Sequence, residues 1–298
     1  MSTDKLKLPT YGGQALIEGV LMRGTHYLSA AVRDPKGRII IQNEELGGLY
    51  ISKFARIPFL RGIVVLWDSL GLGMKYITYS ANIQTGEDEK IEGPLYGLTI
   101  LVSFAIAIGL FFLAPAAVSK LLENWLSLTT FVGNLIEGAI RLALVILYIW
   151  AVGKMPDIHR VFSYHGAEHK TINAFESGAE LTPDNVAKFP LQHPRCGTGF
   201  ILILVIFSVI LFSFFGPMNM AMRLLTRVLL LPVLVVVAYE YMRFTANHLD
   251  HPLGRILAAP GLAMQKLTTN EPTLEMLEVA IAAFNAMYDQ EQKAAVKP

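Results

Sequence analysis

Leu95-Tyr-Gly-Leu-Thr-Ile-Leu-Val-Ser-Phe-Ala-Ile-Ala-Ile-Gly-Leu-Phe-Phe-Leu-Ala-Pro-Ala-Ala-Val-Ser119 contains no charged residue. As a helix it exceeds the roughly 20 apolar residues that cross a 30 Å hydrocarbon core. A second uncharged run covers residues 197–222. Two further segments are expected to span. Residues 132–153 carry Glu137 and Arg141, which sit four apart and face each other on a helix. Residues 224–242 carry Arg227 and Glu240 near their two ends, where both can snorkel to the interface. Pro115 and Pro232 are tolerable in membrane helices. The fold class read from these runs is an α-helical polytopic membrane protein with about four transmembrane helices.

Composition agrees. Of 298 residues, 53% are hydrophobic and 16% charged, with mean hydropathy +0.45. An average soluble domain carries roughly a quarter charged residues, so the balance argues against disorder and against an ordinary cytosolic enzyme. A net charge of +1 and a pI near 7.8 exclude a strongly basic nucleic-acid binder. Cys196 stands alone, so neither an internal disulfide nor a cysteine-cluster metal site can form.

Lysine and arginine set the orientation. Eleven precede residue 91, five lie in residues 154–195 and five follow residue 242; the remaining loops hold only Lys120, Arg223 and Arg227. The bias places the N-terminus, the central loop and the C-terminus in the cytoplasm. Residues 58–81 are apolar, yet Arg61, Asp68 and Lys75 recur every seven residues and share one helical stripe. That segment reads as amphipathic and interfacial rather than spanning. The chain therefore divides into a cytoplasmic region 1–94, a helix pair 95–152, a histidine-rich loop 153–196, a second pair 197–243 and a tail 244–298.

The cytoplasmic parts form a cap. Residues 27–32 and 38–42 flank Asp34-Pro35-Lys36-Gly37, whose residue order suits a type I turn in a β-hairpin. Residues 11–24 hold four glycines and read as a glycine-rich loop packed under that hairpin, with no nucleotide-binding pattern. In the tail, Leu274, Leu277, Ile281, Phe284 and Tyr288 follow Pro272 at threes and fours. This amphipathic helix needs a partner, either another cytoplasmic element or a second copy of the chain. Residues 254–267 are mildly amphipathic and suit the membrane surface. Low complexity is confined to the acidic run Glu87-Asp88-Glu89.

Six of the seven histidines fall between His159 and His251, flanking the expected spans. The sharpest element is His165-Gly-Ala-Glu168-His169. On a helix its two imidazoles share a face and can hold one divalent metal, zinc being the natural candidate. Glu168 lies beside them as a candidate catalytic base for activating water, the HxxEH arrangement of inverted zincins. Glu176 falls on roughly the same face as a ligand or an orienting group. Further metal ligands can come from His193, His251, Asp250 or Cys196.

Four blocks in order resemble the YqhQ-like family of bacterial membrane proteins: residues 11–23 (Tyr-Gly-Gly-Gln-Ala-Leu-Ile-Glu-Gly-Val-Leu-Met-Arg), 165–172 (His-Gly-Ala-Glu-His-Lys-Thr-Ile), 193–198 (His-Pro-Arg-Cys-Gly-Thr) and 260–272. The family is labelled one of predicted metal-dependent enzymes, a label built on motifs of this same kind. The resemblance covers almost the whole chain and implies a multi-pass protein of the bacterial inner membrane. Family members usually show a basic residue around Asn270, which this chain lacks. Two functional classes follow. One is a metal-dependent hydrolase acting at the cytoplasmic membrane surface. The other is a binding cap without chemistry, serving membrane-protein biogenesis or assembly, with the lipid bilayer and a protein docked on the tail helix as partners. Transport is disfavoured because the first and third spans carry no polar path.

Overall fold

A computed structural model describes residues 11–47, 57–85 and 94–296; the acidic run at 87–89 lies outside them. In chain order come β1 (Gly12–Leu16), β2 (Gly19–Arg23), β3 (Tyr27–Arg33) and β4 (Ile39–Glu45), then α1 (Leu60–Thr85) and α2 (Pro94–Ile108). A π-helical turn at Gly109–Leu113 leads into α3 (Ala114–Trp125) and α4 (Thr130–Val152). The remaining helices are α5 (Pro156–Glu176), α6 (Pro183–Val186), α7 (Thr198–Ser213), α8 (Met220–Leu229), α9 (Leu231–Asn247), α10 (Pro252–Gln265) and α11 (Leu274–Val296).

The four strands form one antiparallel meander in the order β1-β2-β3-β4. The hairpin expected from Asp34-Pro-Lys-Gly37 is β3–β4: the Gly37 N–H donates to the Asp34 carbonyl at 2.9 Å, with Gly37 at φ +83°. The glycine-rich segment is not a loop. It makes β1 and β2, because its glycines let the backbone approach neighbours that a side chain would strike. A Cβ on Gly13 would lie 2.6 Å from the Leu21 carbonyl oxygen and 2.8 Å from Cγ of Glu168.

Both sheet faces are covered, as the alternation of side chains requires. Val20, Met22 and Ala31 join Tyr164, Ile172, Leu277, Phe284 and other residues of α5 and α11 in one core. Leu21, Leu28, Ala30 and Val32 pack with Tyr76 of α1 in another. The tail stripe thus has its partner within the chain: Leu277 and Phe284 are fully buried.

The polar stripe of α1 is paired with neighbouring elements, half-buried at Arg61 and Asp68 and exposed at Lys75. Arg61 binds Glu240 on α9, Asp68 binds Arg23 on β2 at 2.5 Å, and Lys75 binds Glu44 on β4 at 2.5 Å. The opposite face exposes Phe59, Leu60, Ile63, Trp67 and Leu70.

Among the described residues two helices, Gly97–Trp125 and Thr130–Val152, are long and apolar enough to cross a membrane; α8 and α9, bent by 42°, make a third if taken as one span. The third expected span is shorter than its uncharged run, because α7 stops at Ser213. Pro217 disfavours helix in the residue before it, and the Asn219 side chain caps a new helix by accepting from Met222 N–H at 2.8 Å. The fourth is broken at Leu230, and Pro232 opens α9.

Arg227 does not snorkel. With Arg223 it lies on the inner face of α8, and both are at most 3% exposed. Arg227 Nη2 donates to Glu137 Oε2 at 2.7 Å and Arg223 Nη2 to the same oxygen at 3.2 Å. Arg141, four residues on, donates to Glu137 Oε1 at 2.7 Å, so the expected ion pair within α4 forms and is joined by two further guanidinium groups. Arg141 also donates to the Phe111 carbonyl at 2.9 Å. Pro115, four residues later, has no N–H with which to make the α-helical bond to that carbonyl. Asn134 and Ser208 join the cluster, and Glu123 on α3 accepts from Arg223 Nη1 at 2.6 Å.

Two outcomes follow. Glu137→Ala leaves the buried Arg141 and Arg227 without a carboxylate and Arg223 with Glu123 alone, a loss of about 3–5 kcal/mol. Ser208→Ala removes the hydrogen bond accepted from Arg141 and the one donated to the Val205 carbonyl, together about 2 kcal/mol. Thermal unfolding in detergent should rank them in that order, and equal melting of wild type and Glu137→Ala would refute the role given to Glu137. Separately, Arg160 hydrogen-bonds the Glu18 carboxylate at 2.5 and 2.6 Å and holds its pKa below the usual value near 4.5. A carboxyl depressed in the folded state stabilises above its unfolded pKa, and that stabilisation fades as pH falls through the folded one. Glu18→Gln should therefore cost at most about 1 kcal/mol at pH 7, the pair being partly exposed. Its deficit against wild type should shrink below pH 4.5 in acid-melting curves.

Candidate metal centre

Helix α5 carries the histidine pair. Pro156 starts it with a preset φ, Asp157 complements the helix dipole in its first turn, and Gly178 at φ +76° follows its last turn. Between these ends His165 and His169 lie one turn apart with ring centroids 4.4 Å from each other. The Cys196 thiol, just before α7, closes the group. Ligand atoms of His165, His169 and Cys196 all lie within 4.8 Å of one another, and the three residues are buried. Such a group can hold a metal ion.

Hydrogen bonds decide which ring nitrogens face inward. His165 Nδ1 lies 2.9 Å from the Thr268 carbonyl oxygen, and His169 Nδ1 lies 2.5 Å from that of Leu191. A carbonyl only accepts, so Nδ1 carries the hydrogen in both rings. Each Nε2 then presents a lone pair. That of His165 is 3.2 Å from Cys196 Sγ. Sγ also lies 3.1 Å from the Thr198 hydroxyl and 3.5 Å from its backbone N–H, at the start of α7. Metal-ligating histidines are held by this kind of outer hydrogen bond.

Glu168 is beside the pair, with Oε2 3.9 Å from His165 Nε2. Burial pushes its carboxyl up to about 7, against the opposing pull of His165 and of the Gly13 N–H. Gly13 belongs to β1, so the sheet forms one wall of the site.

His193 lies next to the group and outside it, its ring 5.7 Å from that of His169. Its backbone is clamped by Gln265, which accepts from His193 N–H at 2.9 Å and donates to its carbonyl at 2.8 Å. Its Nε2 is buried without a hydrogen bond, 3.7 Å from Glu176 Oε2. Burial lowers the His193 pKa against the pull of Glu176, leaving a neutral ring. Glu176 pairs with Arg195; burial opposes its ionisation, but His193 and Arg195 bring its pKa below normal. His251 stands apart from these residues. It is exposed and caps α10, its Nδ1 accepting from Leu253 N–H at 3.2 Å. Asp250 is exposed beside it.

Of the ligands open to sequence reading, the fold thus brings Cys196 to the pair and His193 alongside. The Thr268 and Leu191 carbonyls and the Gln265 clamp were not foreseen. The first two act through backbone atoms, which no side-chain pattern reveals.

A family model described as "Protein of unknown function (DUF1385)" matches residues 57–290. The chain is 35% identical, over 317 residues, to "Uncharacterized protein YqhQ" of Bacillus subtilis (strain 168), covering 98% of each. No solved structure matches.

Because Cys196 is the lone thiol, alkylation reports on this site alone. Iodoacetamide labelling of folded protein should be slowed by about tenfold or more on adding zinc, since the thiolate is both nucleophile and ligand. Labelling at the same rate with and without zinc would remove Cys196 from the ligand set.

Proposed function

This chain belongs to the DUF1385, YqhQ-like family, and we propose that it is a multi-pass inner-membrane protein holding a divalent metal, zinc by donor type, between His165, His169 and Cys196. Two imidazole nitrogens and a thiolate suit zinc, which accepts both donor types. The observation that carries this reading is the pair of carbonyl locks at Thr268 and Leu191, which leave each Nε2 as the ring nitrogen with a free lone pair, that of His165 3.2 Å from the thiol. His193, neutral and with Nε2 buried and free of hydrogen bonds, is the nearest candidate for a further ligand.

The reaction class proposed is hydrolysis of a peptide, ester or phosphate bond at the cytoplasmic membrane surface. The metal, when bound, supplies Lewis acidity. Glu168 takes the proton from the attacking water; a carboxyl poised near 7 can take and return one at neutral pH. Gly13 keeps the carboxyl in place through its N–H and leaves no Cβ to displace it. Thr198 stabilises the thiolate through its hydroxyl and N–H.

The lysine and arginine bias supports cytoplasmic N- and C-termini. The outward apolar face of α1 supports its lying along the bilayer. The other class, a binding cap docking partners through the α11 stripe, has less support, because Leu277 and Phe284 are buried within the chain.

Elemental analysis of folded protein purified without chelator should give about one zinc per chain. His165→Ala and His169→Ala should lose it, while Glu168→Gln should keep the metal and fail to complement a deletion. A folded wild type with no metal would sink the proposal. Full complementation by Glu168→Gln would leave metal binding without catalysis.

A further inference from the structure

The sheet has two edges, and they are treated differently. β1 is covered: its Gly13 N–H is held by the Glu168 carboxylate of α5, and just beyond the strand the Ile17 N–H donates to Ser80 Oγ of α1 at 3.2 Å. β4 forms the other edge. The Asp34 N–H donates to the Arg38 carbonyl at 2.9 Å and the Leu46 N–H to the His26 carbonyl at 2.6 Å, which fixes the alternation of the β3–β4 ladder. Ile40, Gln42 and Glu44 therefore bond inward to β3, while Ile39, Ile41, Asn43 and Glu45 turn their N–H and C=O outward. Among the described residues nothing bonds those outward groups.

Edge strands are commonly guarded by proline, lysine, a bulge or shortness. β4 runs seven residues in unbroken register with no proline and no lysine, and Ile41 near its centre is 45% exposed. The stretch Arg38-Ile-Ile-Ile-Gln-Asn-Glu44 is also complementary to itself. Run antiparallel about Ile41, it sets Arg38 opposite the partner's Glu44 at both ends, Ile39 opposite Asn43, Ile40 opposite Gln42 and Ile41 opposite itself. Arg38 holds Asp34 through Nε and Nη2, and Glu44 accepts from Lys75 and Tyr76 at Oε2, which leaves Arg38 Nη1 and Glu44 Oε1 for each other. A register centred on Gln42 instead places Glu44 against Ile40 and Glu45 against Ile39.

We infer that β4 pairs antiparallel with β4 of a second copy of this chain, joining two four-stranded sheets into one across a two-fold axis at Ile41. Such a contact uses the same patch on both copies and closes on itself. Backbone bonds along the open edge supply the affinity, and the facing side chains set the register.

Native mass spectrometry of the full chain in mild detergent should show a dimer, with amide exchange slow at Ile39, Ile41 and Asn43 and rapid again on dilution to monomer. Arg38→Glu and Glu44→Arg each put like charges opposite one another at both ends and should raise the dimer dissociation constant by about tenfold. Mixed together, the two variants regain opposite charges at both ends and should pair about as tightly as wild type. Ile41→Pro removes an outward N–H and no bond to β3, so it should give a folded monomer. A monomeric wild type, a dimer with rapid exchange along β4, or a mixture of folded variants no tighter than either alone overturns the inference. Mass and exchange of the wild type decide it even if a variant fails to fold.

Discussion

A buried cluster of three guanidinium groups and two carboxylates, Glu137 and Glu123, holds the apolar half of this protein together. Glu137 lies 1% exposed on α4 and receives hydrogen bonds from Arg141 on its own helix and from Arg223 and Arg227 on α8. Burying three guanidinium groups without a counter-charge would cost far more than any packing gain could offset. Phe212 of α7 adds its ring face, 4.1 Å from the Arg227 guanidinium and 5.6 Å from that of Arg141. Helices α4, α7 and α8 therefore meet at one point, and the π turn before α3 joins them through the Phe111 carbonyl.

The same rule recurs at the other end of the molecule. On α8 and in the first half of α1 charged residues turn inward and apolar ones outward, the reverse of a helix on a water-soluble surface. A chain with 16% charged residues keeps much of that charge for internal pairing. The outward faces are then left to hydrocarbon, and the histidine group sits where this apolar half meets the sheet and its two covering helices.

Patterns local in sequence were the legible ones. The β3–β4 hairpin, the His165–His169 face and the α11 stripe each depend on spacings within one element, and each is present. The first two long apolar helices were equally plain. What escaped was set by distant contacts. Glycines lower strand propensity, so β1 and β2 looked like a loop until the close approach of Leu21 and Glu168 to Gly13 explained them. Arg223 and Arg227, four apart, share a helical face, but sequence shows that face without showing which side it turns. The choice of Cys196 over His251 as the third member of the group depended on how α7 and α10 pack, which residue spacing does not encode.

The carbonyl that sets the tautomer of His165 belongs to Thr268, 103 residues later in the chain. The helix bearing both histidines is thus made well before the atom that orients the first of them. During synthesis His165 is free to present either nitrogen until the segment after α10 emerges and crosses α5, where the Asn270 N–H bonds the Phe162 carbonyl at 3.0 Å. The hydrogen bond that orients His165 can therefore form only after Thr268 has been made.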